Sequence, residues 1–118
     1  QADALAIAVG TAHGAYKFKP KLDFERIRTI ADMVHVPLVL HGGSGLSEED
    51  FKKSIGCGIS KVNIFTDINI AAAKAAEQAW KEGKTCLTDI IPYQVEAVSA
   101  AAKVKMRIFG SENRSREV

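Results

Sequence analysis

The sequence predicts an α/β fold built on a parallel sheet, and two observations carry that prediction. Three short runs, "ALAIAVG" (residues 4–10), "VPLVLHG" (36–42) and "SKVNIF" (60–65), are near-continuously apolar rather than alternating. That is the pattern of strands covered on both faces. Helical patterns separate and follow them, giving the order β-α-β-α-β-α-α. Alternating units of this kind mean parallel strands joined by right-handed crossovers. Two arrangements satisfy the order. One is a three-stranded open sheet that folds alone and leaves two edges unpaired. The other is a set of consecutive units from a larger (β/α)8 barrel, which needs roughly 250 residues.

Each helix has its own start and stop signals. Asp23 is a good N-cap for "FERIRTIADMV", which puts Phe24, Ile27, Ile30, Ala31 and Val34 on one face. Ser47 opens "SEEDFKKSIG" with Asp50 three residues on, a capping-box pattern with acids in the first turn. Phe51 and Ile55 supply its apolar face, and Gly56 or Gly58 its stop. "TDINIAAAKAAEQAWKEG" is rich in alanine and predicts a long helix ending near Gly83. Pro92 is read as the opening of a fourth helix. Its stripe is Val95, Val98, Ala102, Met106 and Phe109, and Gly110 closes it. The polar segment 111–118 is expected to fray as a tail, leaving 1–110 as the folded portion.

Bulk properties narrow the function classes. The chain has 118 residues, 47% hydrophobic and 25% charged, an ordinary globular balance of modest size. A net charge of +2 points to no nucleic-acid partner. No apolar run reaches the roughly 18 residues of a membrane span, and no secretory pattern is present, so a soluble protein without a membrane partner is expected. Cys57 and Cys86 fit no metal spacing and read as incidental thiols in a reducing compartment. The chain begins with Gln1 rather than Met and enters a strand almost at once, which suggests a fragment or processed piece.

In parallel α/β folds, ligands bind at the carboxyl ends of strands. The first strand ends in "GTAHGAYK", delivering His13, Gly14 and Lys17. The second ends in "HGGSG", delivering His41, Gly42, Gly43 and Ser44. The third ends in "NIFTD", delivering Asn63, Thr66 and Asp67. His-Gly pairs thus recur 28 positions apart, one βα unit. Two neutral imidazoles on neighbouring strand tips are placed to share a divalent metal, with zinc the best fit. The glycines let backbone N–H groups approach an anion, and "GGSG" leads into a helix N-terminus that favours negative charge. Ser44, Thr66 and Lys17 add donors. The bland readings stand beside these. A strand-end histidine can be a hydrogen-bonded structural residue, "GGSG" a flexible turn, Asn63 a strand-end cap and Lys17 a solvated charge. His35 lies at the opposite end of its strand, and Trp80 and the Val95–Phe109 stripe read as packing surface.

"VGTAHGAYK", "PLVLHGGSGL" and "KVNIFTDINIA", in this order, resemble three successive motifs of the class II, metal-dependent ketose-bisphosphate aldolases. The last helix, ending "KVKMRIFGS", resembles that family's C-terminal helix. The resemblance implies a (β/α)8 barrel of which this chain is the last three units plus a C-terminal helix. It implies His13 and His41 as two of three zinc-binding histidines. Gly14, Lys17, Gly42, Gly43, Ser44, Asn63, Ile64, Phe65 and Thr66 would hold dihydroxyacetone phosphate. Ala12, Gly14 and Gly42 would offer carbonyls to a monovalent cation. The implied reaction is reversible aldol cleavage of a ketose 1,6-bisphosphate in cytoplasmic carbohydrate metabolism such as glycolysis, by a homo-oligomer. Fructose bisphosphate is favoured and tagatose bisphosphate next, with Phe65 a departure from the fructose-specific pattern. The third histidine and the acid-base carboxylate belong to earlier strands in that family. Asp3 and Asp23 do not replace them, and the chain by itself is expected to be inactive. Two alternatives remain: a non-catalytic phosphate-binding or structural α/β module, and another phosphate-binding barrel, such as an isomerase or synthase, with the histidines as acid and base.

Overall fold

The computed structural model describes residues 2–11 and 20–114. The elements follow the predicted order: β1 (Leu5–Ala6), α1 (Phe24–Met33), β2 (Leu38–Leu40), α2 (Glu48–Gly56), β3 (Ile59–Val62), α3 (Thr66–Lys81) and α4 (Leu87–Ile108). The chain divides into two compact units, Gln1–Ile64 and Phe65–Val118, and each is described by itself.

The first unit holds the sheet, in order β1-β2-β3 with both pairings parallel. β2 is central and all three of its residues are buried. Ile27 of α1 and Phe51 of α2 are fully buried, with Leu38, Leu40 and Val9. Both helices begin where their caps place them. The Asp23 side chain accepts from the Arg26 amide at 2.9 Å. Ser47 and Asp50 form the full reciprocal capping box, which satisfies two of the helix's orphan donors. The first strand departs from expectation. Only Leu5 and Ala6 pair, and both are exposed. β1 is an edge strand, so one side of it has no strand neighbour among the described residues. A continuously apolar sequence reads as doubly covered only where neighbours supply the cover. The chain then leaves the sheet, and the Val9 carbonyl accepts from the Asp23 amide at 3.1 Å, tying strand exit to helix entry.

The second unit is a helix pair. α3 ends in a Schellman motif: the Lys84 amide donates to the Ala79 carbonyl and the Gly83 amide to Trp80. α4 ends the same way, with Ser111 bonding to Met106 and Gly110 to Arg107. The predicted stops at Gly83 and Gly110 hold, but the start of α4 does not. The helix begins at Leu87, and Pro92 lies inside it. Proline lacks an N–H to donate to Thr88, which favours the first turn of a helix, yet one missing bond is tolerated here in a 22-residue helix. The described part of the polar segment, residues 111–114, makes side-chain contacts at the end of α4. Arg107 pairs with Glu112 at 3.1 Å, and Arg114 donates to the Gly110 carbonyl at 3.3 Å.

Lys105 Nζ lies 2.6 Å from Asp67 Oδ2 in a partly buried ion pair, so the late turns of α4 are pinned to the first turn of α3. Nearer the hairpin turn, Glu82 accepts from Gln78 Nε2 and from the Tyr93 hydroxyl, each at 2.7 Å. Those hydrogen bonds, Gln78 first and Tyr93 second, hold the Glu82 carboxyl below its ordinary range. The same bond to Glu82 raises the Tyr93 hydroxyl. The Glu82 contribution is therefore present above the ordinary glutamate range and is lost as pH falls through its lowered value. The Tyr93 contribution is present below the ordinary phenol range and is lost as pH rises through its raised value. Tyr93→Phe is expected to lower the melting temperature slightly at neutral pH, with the gap to wild type closing in acid. Paired thermal melts across pH measure this, and a gap that persists at the acid end refutes it.

No helix among the described residues is long and apolar enough to cross a membrane.

Candidate functional site

The site begins in the register of two strands. Leu38 pairs with Ile59, but Val39 then pairs with Lys61 and Leu40 with Val62. Ser60 is thus an extra residue on β3, a β-bulge. In a regular ladder Val39 would face Ser60, and every later β3 side chain would point to the opposite side of the sheet. The bulge restores parity, so that Lys61 shares a face with Val39. Two residues further on, His41 and Asn63 lie on that same face. The Asn63 amide donates to the Leu40 carbonyl at 3.0 Å, which carries the ladder past the strand ends.

His41 and Asn63 are both half-buried, and their side chains meet. Asn63 Nδ2 lies 3.0 Å from His41 Nε2, and Lys61 Nζ lies 2.7 Å from Asn63 Oδ1. An ammonium can only donate, so the amide oxygen belongs on the lysine side and the NH2 on the histidine side. The same NH2 lies 3.4 Å from His41 Nδ1, so it sits against the ring within reach of both nitrogens, and an imidazole at a strand end is donor chemistry that zinc accepts. The fit to a metal is partial, because no group of three His, Cys, Asp or Glu side chains comes together among the described residues. His13, the other expected ligand, lies outside the described residues, as do Ala12, Gly14 and Lys17.

The glycine turn follows His41 directly. Gly42 and Gly45 have φ of 66° and 85°, a conformation side chains resist. The Leu46 amide closes the turn on the Gly43 carbonyl at 3.3 Å, just before the capped start of α2. Gly43 has a reason of its own that the sequence did not disclose. A Cβ there would lie 3.0 Å from Phe51, 3.2 Å from Ile64 and 3.3 Å from Val62. Its missing side chain lets the loop pack on the core, whatever the backbone also binds. Ser44 is buried, 5% exposed.

The "NIFTD" stretch crosses the boundary between the units. Asn63 and Ile64 close the first, and Phe65 and Thr66 begin the second. Phe65 occupies the N-cap of α3, makes no side-chain cap bond and is 75% exposed. Thr66 is the first helical residue and is half-buried. His35 is exposed near the other end of β2, Cys57 is buried and Cys86 exposed. Lys61 was missed by sequence reasoning. The available signal was its spacing of two from Asn63 on one strand, which puts both on one face.

Comparison with known proteins extends this picture. Residues 1–114 match the family model described as fructose-bisphosphate aldolase class-II. A sulfofructosephosphate aldolase from Alkalicoccus urumqiensis is 40% identical over 116 residues, which cover 97% of this chain and 40% of that protein. The crystal structure of the YdjI aldolase from Escherichia coli K12 superposes with a TM-score of 0.83 at 36% identity, covering 95% of this chain and 40% of that one. A fructose-bisphosphate aldolase from Campylobacter jejuni shares the fold alone, with a TM-score of 0.73 at 18% identity over 89% of this chain and 39% of that one. The chain thus spans about 40% of the length of these relatives. The neighbours are (β/α)8 barrels, and the parallel sheet seen here is part of that architecture. By its motifs, its fold and its match along nearly the whole sequence, this chain belongs to the class-II fructose-bisphosphate aldolase family.

Proposed function

We propose that this chain forms the C-terminal part of a zinc-dependent aldolase barrel that cleaves a ketose bisphosphate reversibly to dihydroxyacetone phosphate and an aldehyde phosphate. The observation that carries the reading is the His41–Asn63 pair, placed on one face by the bulge and set beside the glycine turn. His41 and His13 are the metal ligands of this chain. Bound zinc supplies Lewis acidity that takes up negative charge as the carbon–carbon bond breaks. Asn63 orients the dihydroxyacetone phosphate unit through its side-chain amide. The backbone of Gly42 and Gly43 and the Ser44 hydroxyl receive the phosphate, with Gly14 and Lys17 from the first strand end. Ile64, Phe65 and Thr66 take their substrate role from their place in the motif, and the carbonyls of Ala12, Gly14 and Gly42 are the monovalent-cation positions. Holding the phosphate fixes the reacting carbon relative to the metal, which converts binding energy into orientation.

Substrate identity is set by a panel assay. A complete barrel carrying this chain is expected to release triose phosphate from fructose 1,6-bisphosphate fastest and from tagatose 1,6-bisphosphate next. A sulfofructose phosphate belongs on the panel because the relative from Alkalicoccus urumqiensis is named for it. Absence of zinc-dependent turnover on all three refutes the reading and favours a non-catalytic module. Within the same barrel, Ser44→Ala is expected to raise KM about tenfold, since one hydrogen bond to a charged group contributes ~1.5 kcal/mol. A change confined to zinc affinity, with KM intact, counts against Ser44 as a phosphate ligand.

A further inference from the structure

We propose that Lys105 is a positioning residue for phosphate at the start of α3, acting through Asp67 by offsetting its charge. This role rests on the aldolase reading above, which puts substrate phosphate at Thr66. Lys105 Nζ lies 2.6 Å from Asp67 Oδ2, and the two side chains are 17% and 27% exposed. The other ion pairs among the described residues leave both side chains at least 42% exposed. Enclosure matters because a partly buried pair is screened by salt far less than a surface pair.

Asp67 is the second residue of α3 and follows Thr66 directly. A carboxylate in the first turn of a helix suits the backbone dipole. It is a poor neighbour for a phosphate drawn to the same end, because like charges a few ångströms apart repel strongly where water is partly excluded. Phe65 at the N-cap makes no side-chain cap bond and carries no charge to set against it. Lys105 reaches Asp67 from the late turns of α4, so the start of α3 presents a paired carboxylate rather than a bare one. The competing account is a mechanical brace between two helices, in which breaking either half loosens α3 alike. The charge account gives the two halves opposite signs. Without Lys105, the Asp67 charge bears on the phosphate. Without the Asp67 charge, the Lys105 ammonium is left to attract it.

The test uses a complete barrel carrying this chain, with two readouts: calorimetric binding of inorganic phosphate, and KM and kcat on fructose 1,6-bisphosphate. Lys105→Met is expected to weaken phosphate binding and raise KM about tenfold, with kcat little changed, the mark of lost ground-state binding. Raising the ionic strength is expected to narrow that gap. Asp67→Asn breaks the same ion pair and is expected to tighten phosphate binding and lower KM. The double variant is expected to return close to wild type. Lys81→Met removes one charge at the far end of α3, roughly 20 Å away, and is expected to change neither readout. Lys105→Gln serves as the second variant if Lys105→Met melts early. Weaker phosphate binding in both Lys105→Met and Asp67→Asn, or a double variant no better than Lys105→Met, overturns the charge role in favour of the brace and leaves the aldolase reading standing. Opposite shifts in phosphate binding in a barrel that turns over none of the three sugar phosphates overturn the aldolase reading and leave the role of Lys105 standing. A wild-type barrel that binds no phosphate overturns both.

Discussion

Replacing His41 with alanine in a complete barrel carrying this chain is expected to drop zinc well below one ion per site and to lower kcat/KM by more than about 100-fold, the upper range for outer-shell groups alone. The side chain does two things at once. It places an imidazole at a strand end, and its ring packs against Asn63 Nδ2, 3.0 Å from Nε2 and 3.4 Å from Nδ1. On the proposed function, alanine takes away a zinc ligand and the ring that Asn63 packs against, so metal content and turnover are expected to fall together. His13→Ala is expected to lose zinc as well. His35→Ala, exposed near the other end of β2, is the control and is expected to change neither. Metal analysis of the purified variants with a coupled triose phosphate assay reads the result. Full zinc occupancy in both His13→Ala and His41→Ala would sink the assignment.

Gly10→Ala is expected to cost about 3 kcal/mol of stability, a large effect for one methyl group. Gly10 has φ of 96°, where an L side chain is strained by roughly 1–2 kcal/mol. The added Cβ would also stand 2.3 Å from the backbone oxygen of Lys21. That oxygen cannot rotate away as a side chain would. Moving it displaces the segment that leads to Asp23, whose amide bonds to Val9 and whose carboxylate caps α1. The comparison is Gly56→Ala. Gly56 has no positive φ and no atom within 4 Å of an added Cβ, and it lies at the end of a helix, where alanine is favoured by up to about 1 kcal/mol. Denaturant melts of the two variants in the complete barrel separate the cases. A Gly10→Ala midpoint within error of Gly56→Ala refutes the account.

Signals of local chemistry were the ones the sequence displayed openly. Asp23 and Ser47 announce helix starts because a side-chain oxygen satisfies orphan amides wherever it occurs. Gly83 and Gly110 mark stops for an equally local reason. Pro92 misled because the helix hides its lost bond in context, and β1 misled because burial depends on neighbours that an apolar run only assumes. In the site, His41 and Asn63 were visible as residue types at strand ends, but their meeting was not. It depends on the bulge at Ser60, and no residue type at Ser60 demands one. Lys61 stayed hidden for the same cause, since a lysine in a strand reads as a solvated charge until its face is known. Gly43 was visible as part of a glycine turn, yet the closeness of Phe51, Val62 and Ile64 to an added Cβ appears only in three dimensions.

The bulge has a consequence for how this segment can change over time. From Lys61 to Asn63 the strand behaves like a reading frame, in which the number of residues matters more than their identity. Ser60 is exposed and can be exchanged for many residues at little cost. Its deletion would leave Ile59 opposite Leu38, Lys61 opposite Val39 and Val62 opposite Leu40 as a regular ladder, so His41 and Asn63 would still share a face. A residue inserted after Lys61 has no such latitude, because it would turn Asn63 to the other face unless a second bulge absorbed it. Lineages that share the site should therefore keep the Lys61-to-Asn63 spacing even where their residues differ, while position 60 is free to come and go.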